Sequence, residues 1–172
     1  LKLSRGLGDV YKRQVPEIDA KISIFDSAVL LGDTVTESTR TFNHVPFKLD
    51  DHLERLYKSF KLTRIDPQMP IEEMKKVSLD LLEINKDEYK ANEDCWLVHN
   101  ISRGHSITGG NPALQVSKPT VMIYTQPMNL VLWAPFYTKG CHAVTPPTRM
   151  VPSQSLDARI KNRSRLFYTL AE

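Results

Sequence analysis

Cysteine is scarce: Cys95 and Cys141 stand 46 positions apart and are the only two in the chain. That spacing is neither a disulfide framework nor a metal-binding loop, and it suits a reducing cytoplasm. Long apolar runs are missing too. None approaches the ~18 residues that cross a bilayer, so no membrane segment is expected. Residues 1–14 (LKLSRGLGDVYKRQ) lack the apolar stretch of a secretory signal. Their Gly6-Leu7-Gly8 is too short for a dinucleotide fingerprint. Charge of one sign is not concentrated anywhere: the net +3 is spread out. A basic α+β module that binds nucleic acid, with steeply salt-dependent affinity, is therefore disfavoured.

What is present is a soluble-protein composition, 41% hydrophobic over 172 residues. The length allows one domain, or a small domain and part of a second. Residues 1–14 read as a leader foreign to the fold. Lys21–Phe25 alternates apolar and polar residues like a strand. Thr34–Phe42 is rich in β-branched residues and, with Asn43-His44 as turn and Val45–Phe47 returning, predicts a hairpin. Asp50 and Asp51 suit a helix N-cap, with Glu54 in the capping-box position. The helix after them would bury Leu53, Leu56, Tyr57 and Phe60.

A second helix opens after Pro70, with Ile71, Met74, Val77, Leu81 and Ile84 as its apolar stripe. Strands are expected near Cys95–Ile101 and Pro119–Thr125. These elements make an α+β domain over residues 15–124. Residues 125–139, with two prolines, read as a linker, and 140–172 as the start of a second, mostly β domain beginning with a strand at Gly140–Thr145. The chain stops at Glu172 within a helical pattern that lacks a cap, Gly or Pro, which predicts truncation.

Lys161 is the residue with the most chemical potential. It lies between Ile160 and Asn162, just before an apolar helical pattern. Burial lowers a lysine's pKa from about 10.4 towards neutrality and frees a lone pair for carbonyl chemistry. A solvated surface charge is the ordinary alternative.

Four blocks in order carry a resemblance: Asp19–Thr41 (DAKISIFDSAVLLGDTVTESTRT), Phe47–Leu62 (FKLDDHLERLYKSFKL), Ile101–Gly104 (ISRG) and Asp157–Glu172. Across roughly residues 17–172 they resemble the class IV (fold type IV) aminotransferases, pyridoxal-phosphate enzymes of the branched-chain and D-amino-acid type. The resemblance implies a small N-terminal α/β sandwich domain followed by the start of a larger, mostly β pseudo-barrel domain. It implies pyridoxal 5'-phosphate as cofactor, no metal, and a cytoplasmic homodimer. The implied reaction moves an amino group between an amino acid, branched-chain-like, and a 2-oxo acid. In that family the lysine matching Lys161 carries the cofactor as a Schiff base.

Arg55 matches the family's phosphate-binding arginine. The helical wheel puts it about 200° from Leu53, opposite the core stripe, which alone reads as a solvated arginine. Arg40 matches an arginine near the substrate; its alternative is an ion pair with Glu37 or a rim charge. Arg103 and Gly104 match a strand-to-loop junction with a supporting role. Gly109-Gly110 could offer amides to an anion, or be a plain turn. Thr108 and Gly110 stand where D-amino-acid enzymes carry an arginine and a histidine. Trp96 and Val98 stand where branched-chain enzymes carry a tyrosine and an arginine. Both carboxylate clamps are thus replaced, and Arg40, Trp96 and Thr108 become the candidate substrate contacts. His99 is out of phase with Trp96 and Val98 and reads as packed or solvated. The family's glutamate facing the pyridine nitrogen and a later phosphate-binding turn are expected beyond Glu172. A 4-amino-4-deoxychorismate lyase of the same fold and cofactor is the alternative.

Overall fold

A computed structural model of the chain describes residues 7–8, 14–105 and 118–172. It is an α+β structure, as expected. Six strands form one sheet: β1 (Leu7–Gly8), β2 (Gln14–Val15), β3 (Thr34–Phe42), β4 (Val45–Pro46), β5 (Cys95–Ser102) and β6 (Thr120–Pro127), in the order β2-β1-β6-β5-β3-β4. Every pairing is antiparallel. The helices are α1 (Ser27–Leu31), α2 (Leu49–Thr63), α3 (Ile71–Asn85), α4 (Leu130–Lys139) and α5 (Leu166–Thr169).

β3 forms where β-branched residues recur, and it runs beside β5 without a bulge from Thr34↔Ser102 to Arg40↔Trp96. It turns through Asn43 and His44, both at positive φ (49° and 64°), which is the backbone a tight two-residue hairpin demands. α2 and α3 pack on one face of the sheet. Leu53, Leu56 and Phe60 of α2 and Met74 and Leu81 of α3 meet Val35, Leu97, Ile101, Val121 and Ile123 in a single core. Burying each such side chain stabilises the fold by roughly 1.5–3 kcal/mol. Ile160, from the chain's last third, packs partly buried against the same core.

Several expectations fail for local reasons. Lys21–Phe25 is not a strand: the Asp26 amide bonds the Ser23 carbonyl in a turn, and the Asp26 side chain then caps α1 through the Ala28 amide. Asp50 and Asp51 are not N-caps. Lys48, in the left-handed region, precedes a helix that already includes Leu49, and the two aspartates sit in its first turn, where they favour the helix dipole. The α3 stripe is rotated. Ser78 and Asn85 are buried and Ile84 is 58% exposed, because Ser78 hydrogen-bonds a buried histidine and Asn85 bonds the Leu81 carbonyl.

Within residues 125–139, β6 continues to Pro127 and α4 follows, with Pro135 inside it and no residue buried. Gly140–Thr145 is irregular rather than a strand. In segment 1–14, Leu7–Gly8 pairs with Tyr124 and Ile123 of β6. Among the described residues no helix is long and apolar enough to cross a membrane.

Candidate active site

Lys161 reaches the sheet through backbone pairing. β4 covers only the far end of β3, at Thr41 and Phe42, so the near end has a free edge. The segment around Lys161 fills it: the Thr36 amide donates to the Lys161 carbonyl (2.9 Å) and the Arg163 amide to the Thr34 carbonyl (2.9 Å), with Val35 facing Asn162. The Lys161 amide also reaches Ser59 Oγ of α2 at 3.4 Å. The lysine is therefore wedged between the sheet edge and a helix, its side chain 29% exposed. Burial pushes its pKa down. Glu37 opposes that change, Arg55 and Arg165 add to it, and the net direction is downward.

Glu37 is the residue that gathers this site. Its side chain is 0% exposed. Arg55 Nε and Nη2 both donate to it at 2.7 Å. The Ser38 amide lies 2.9 Å from Oε1, His52 Nδ1 3.1 Å and Lys161 Nζ 3.4 Å. Burial alone would raise the carboxyl's pKa. The Arg55 hydrogen bonds, the Ser38 amide and the nearby cations outweigh it and hold the group at about 2. The wheel position of Arg55, opposite the core stripe, is correct. Its side chain is 51% exposed, yet it folds back onto the strand instead of trailing into solvent.

Arg55 and Lys161 line one cavity of about 380 Å³ with Met150, Arg159, Arg165 and Phe167. Arg159 is closed on Asp157 at 2.6–3.1 Å. Arg55, Lys161 and Arg165 of the lining then outnumber the Glu37 carboxylate that pairs with the first two, an excess of two positive charges. A nucleophilic amine of lowered basicity beside surplus cations is chemistry for an anionic carbonyl compound.

The other expected site residues are elsewhere. Side chains alternate along a strand, so Arg40 lies on the face of β3 opposite Glu37. That parity rules out the ion pair considered between them. Arg40 instead stacks on Phe42 (3.7 Å to the ring centre), donates Nε–H to the Thr41 carbonyl and lies 3.9 Å from Asp94. Its direct cross-strand neighbour is Trp96, so these two candidates form one patch. Thr108, Gly109 and Gly110 lie outside the described residues.

Arg103 supports structure: it binds Asp33 and the carbonyls of Thr63 and Arg64 at the end of α2. His99 is fully buried, with Nε2 2.8 Å from Ser78 Oγ, and burial pulls its pKa down to about 4. Glu37 was missed as a site residue. The available signal was its phase: it shares the inward face with Val35, Thr39 and Thr41, and a carboxylate there must be paired.

The family model for amino-transferase class IV matches residues 34–172, which include β3, α2 and the Lys161 segment. The chain belongs to that family. A Methanocaldococcus jannaschii protein, provisionally named a branched-chain-amino-acid aminotransferase, is 34% identical over 158 residues, covering 92% of this chain and 51% of the relative. The aminodeoxychorismate lyase of Bacillus subtilis is 36% identical over 112 residues, 65% of this chain and 37% of that protein. Among solved structures, the branched-chain aminotransferase of the thermophilic archaeon Thermoproteus uzoniensis with norvaline superposes with a TM-score of 0.75 at 22% identity, over 92% of this chain and 51% of that one. This class IV chain thus spans about half the length of the first of these relatives.

Proposed function

We propose that the whole protein is a pyridoxal-phosphate aminotransferase that moves an amino group between a branched-chain-like amino acid and a 2-oxo acid. The observation that carries this reading is the half-buried Lys161 amine, of lowered basicity, on the wall of a cavity it shares with Arg55. The donor set fits the cofactor: an amine for its aldehyde, and surplus cations for its phosphate dianion. When bound, pyridoxal 5'-phosphate supplies that aldehyde and a ring that withdraws electrons from the substrate's Cα.

Lys161 is the attachment residue and, once its amine is free, the base that moves a proton at Cα. Its lowered pKa raises the share of neutral amine at neutral pH. Arg55 binds the phosphate. Glu37 takes its Nε and Nη2, which leaves the Nη1 N–H groups of this cavity-lining arginine as donors for the phosphate. The family resemblance assigns Arg40, Trp96 and Thr108 to the substrate, and a cytoplasmic homodimer belongs to the same reading.

The test is reduction with borohydride in the presence of pyridoxal phosphate, followed by peptide mapping. The cofactor should be fixed to Lys161, and Lys161→Ala should abolish fixation. Recovery of the adduct on another lysine would overturn the assignment.

The 36% identity to an aminodeoxychorismate lyase favours a second reaction on the same site. Ketone formation from an amino acid that depends on 2-oxoglutarate marks transamination. Release of pyruvate from 4-amino-4-deoxychorismate marks the lyase.

A further inference from the structure

We infer that Glu37 is a positioning residue with two loads: it fixes Arg55 permanently and parks the Lys161 ammonium reversibly. This rests on reading Lys161 as the reactive amine.

The geometry separates the two loads. Arg55 engages both carboxylate oxygens at 2.7 Å, a bidentate pair whose planar fork fixes the guanidinium in orientation as well as distance. Lys161 Nζ lies farther off, 3.4 Å from Oε1, and that oxygen already receives Arg55 Nη2 and the Ser38 amide, with His52 Nδ1 3.1 Å away. An oxygen with about two lone pairs is already filled by the guanidinium and amide donors. The ammonium is therefore the outermost and loosest of them. It is held while charged, because its charge still faces a buried carboxylate. Once it loses its proton to solvent the attraction ends, and the amine is free to turn into the cavity while Arg55 stays in place.

The groups facing Lys161 come from every element around it. Glu37 lies on β3, Arg55 and His52 on α2, His99 on β5 across from Glu37, and Arg165 follows in the lysine's own segment. Among them only Glu37 is negative. Asp157, on the cavity's outer wall, is taken up by Arg159. Among the described residues the parking role thus has one candidate.

The experiment needs no cofactor. Competitive labelling with acetic anhydride across pH, read by peptide mass spectrometry, gives the midpoint at which Lys161 becomes reactive. In Glu37→Gln the midpoint should fall by about one pH unit or more, the usual effect of a close opposite charge. Glu37→Asp keeps the charge on a shorter stem and should shift it less. The exposed Lys76, paired with Asp80, is the internal control and should keep its midpoint. An unmoved Lys161 midpoint in folded Glu37→Gln would overturn the inference and leave Glu37 as the counter-ion of Arg55 alone.

Should the Glu37 variants fail to fold, Arg55→Gln serves. Removing the competing guanidinium should raise the Lys161 midpoint, and no change would again overturn the inference. Cofactor fixation is scored separately, so loss of that reading is distinguishable from loss of this one.

Discussion

Arg55 and Glu37 form a pair of unequal exposure: both bonds measure 2.7 Å, the carboxylate is wholly buried and the guanidinium is half in solvent. A buried carboxylate needs a partner, and here it draws the exposed face of α2 onto the edge of β3. The pairing turns an arginine that periodicity assigns to solvent into one wall of a cavity.

Arg55→Ala should therefore weaken binding of pyridoxal phosphate by roughly 1.5–3 kcal/mol, the scale of hydrogen bonds to a charged group. Pyridoxal, which lacks the phosphate, should lose much less. Equal losses for the two ligands, measured by titration, would return Arg55 to a structural role.

Acid should destabilise the protein in two stages. His99 is held neutral, with a folded pKa of about 4 against an ordinary 6.5. The unfolded chain takes up the proton first, so the stability it contributes is complete above pH 6.5 and is lost as pH falls towards 4. Glu37 is depressed to about 2 from 4.5, so its contribution is complete above pH 4.5 and is lost as pH falls towards 2. Each stage is worth up to about 3 kcal/mol. Urea midpoints should be level from pH 7.5 to 6.5 and fall from there down to pH 3, and His99→Gln should flatten the portion between 6.5 and 4. A flat wild-type profile across that upper window would contradict the burial of a neutral His99.

Much of the α+β fold could be read in advance because its signals are local. The β-branched run of β3, the Asn43-His44 turn and the Leu53/Leu56/Phe60 stripe each follow from a few neighbouring residues. Resemblance singled out Lys161 and Arg55, and the structure brings the two to one cavity. Glu37, which joins them, was not, because its partners lie 15, 18 and 124 positions away and only the packed sheet brings them together. Lys21–Phe25 misled for the opposite reason. Alternation over five residues fits any extended segment, and the Ser23–Asp26 turn with the Asp26 cap decides its fate. The irregular backbone of 140–165 carries no period to read, yet it delivers Lys161 to the edge of β3.

Arg103→Ala should cost about 2–3 kcal/mol of stability while leaving cofactor fixation on Lys161 unchanged. The side chain ties Asp33 at 2.8 Å to the Thr63 and Arg64 carbonyls at 2.9 and 2.8 Å, so its loss strands a carboxylate and the end of α2 together. Thermal or urea denaturation gives the first number and the borohydride assay the second. A folded, stable variant that fails to bind the cofactor would move Arg103 into the site.

Arg40→Gln should separate the substrate from the cofactor. Arg40 is on the face of β3 opposite Glu37, four residues beyond Thr36, or roughly 13 Å along the strand from where Lys161 pairs. Its stacking on Phe42 and its proximity to Asp94 place its charge beside Trp96, not in the cavity. Cofactor affinity and the Lys161 labelling midpoint should therefore match wild type. If the Arg40–Trp96 patch receives the substrate, KM for the amino acid should rise several-fold in the whole enzyme with cofactor binding intact. A changed Lys161 midpoint would show that the two faces communicate through β3. An unchanged KM would remove Arg40 from the substrate site and leave it as a strand-edge charge held by Phe42 and Asp94.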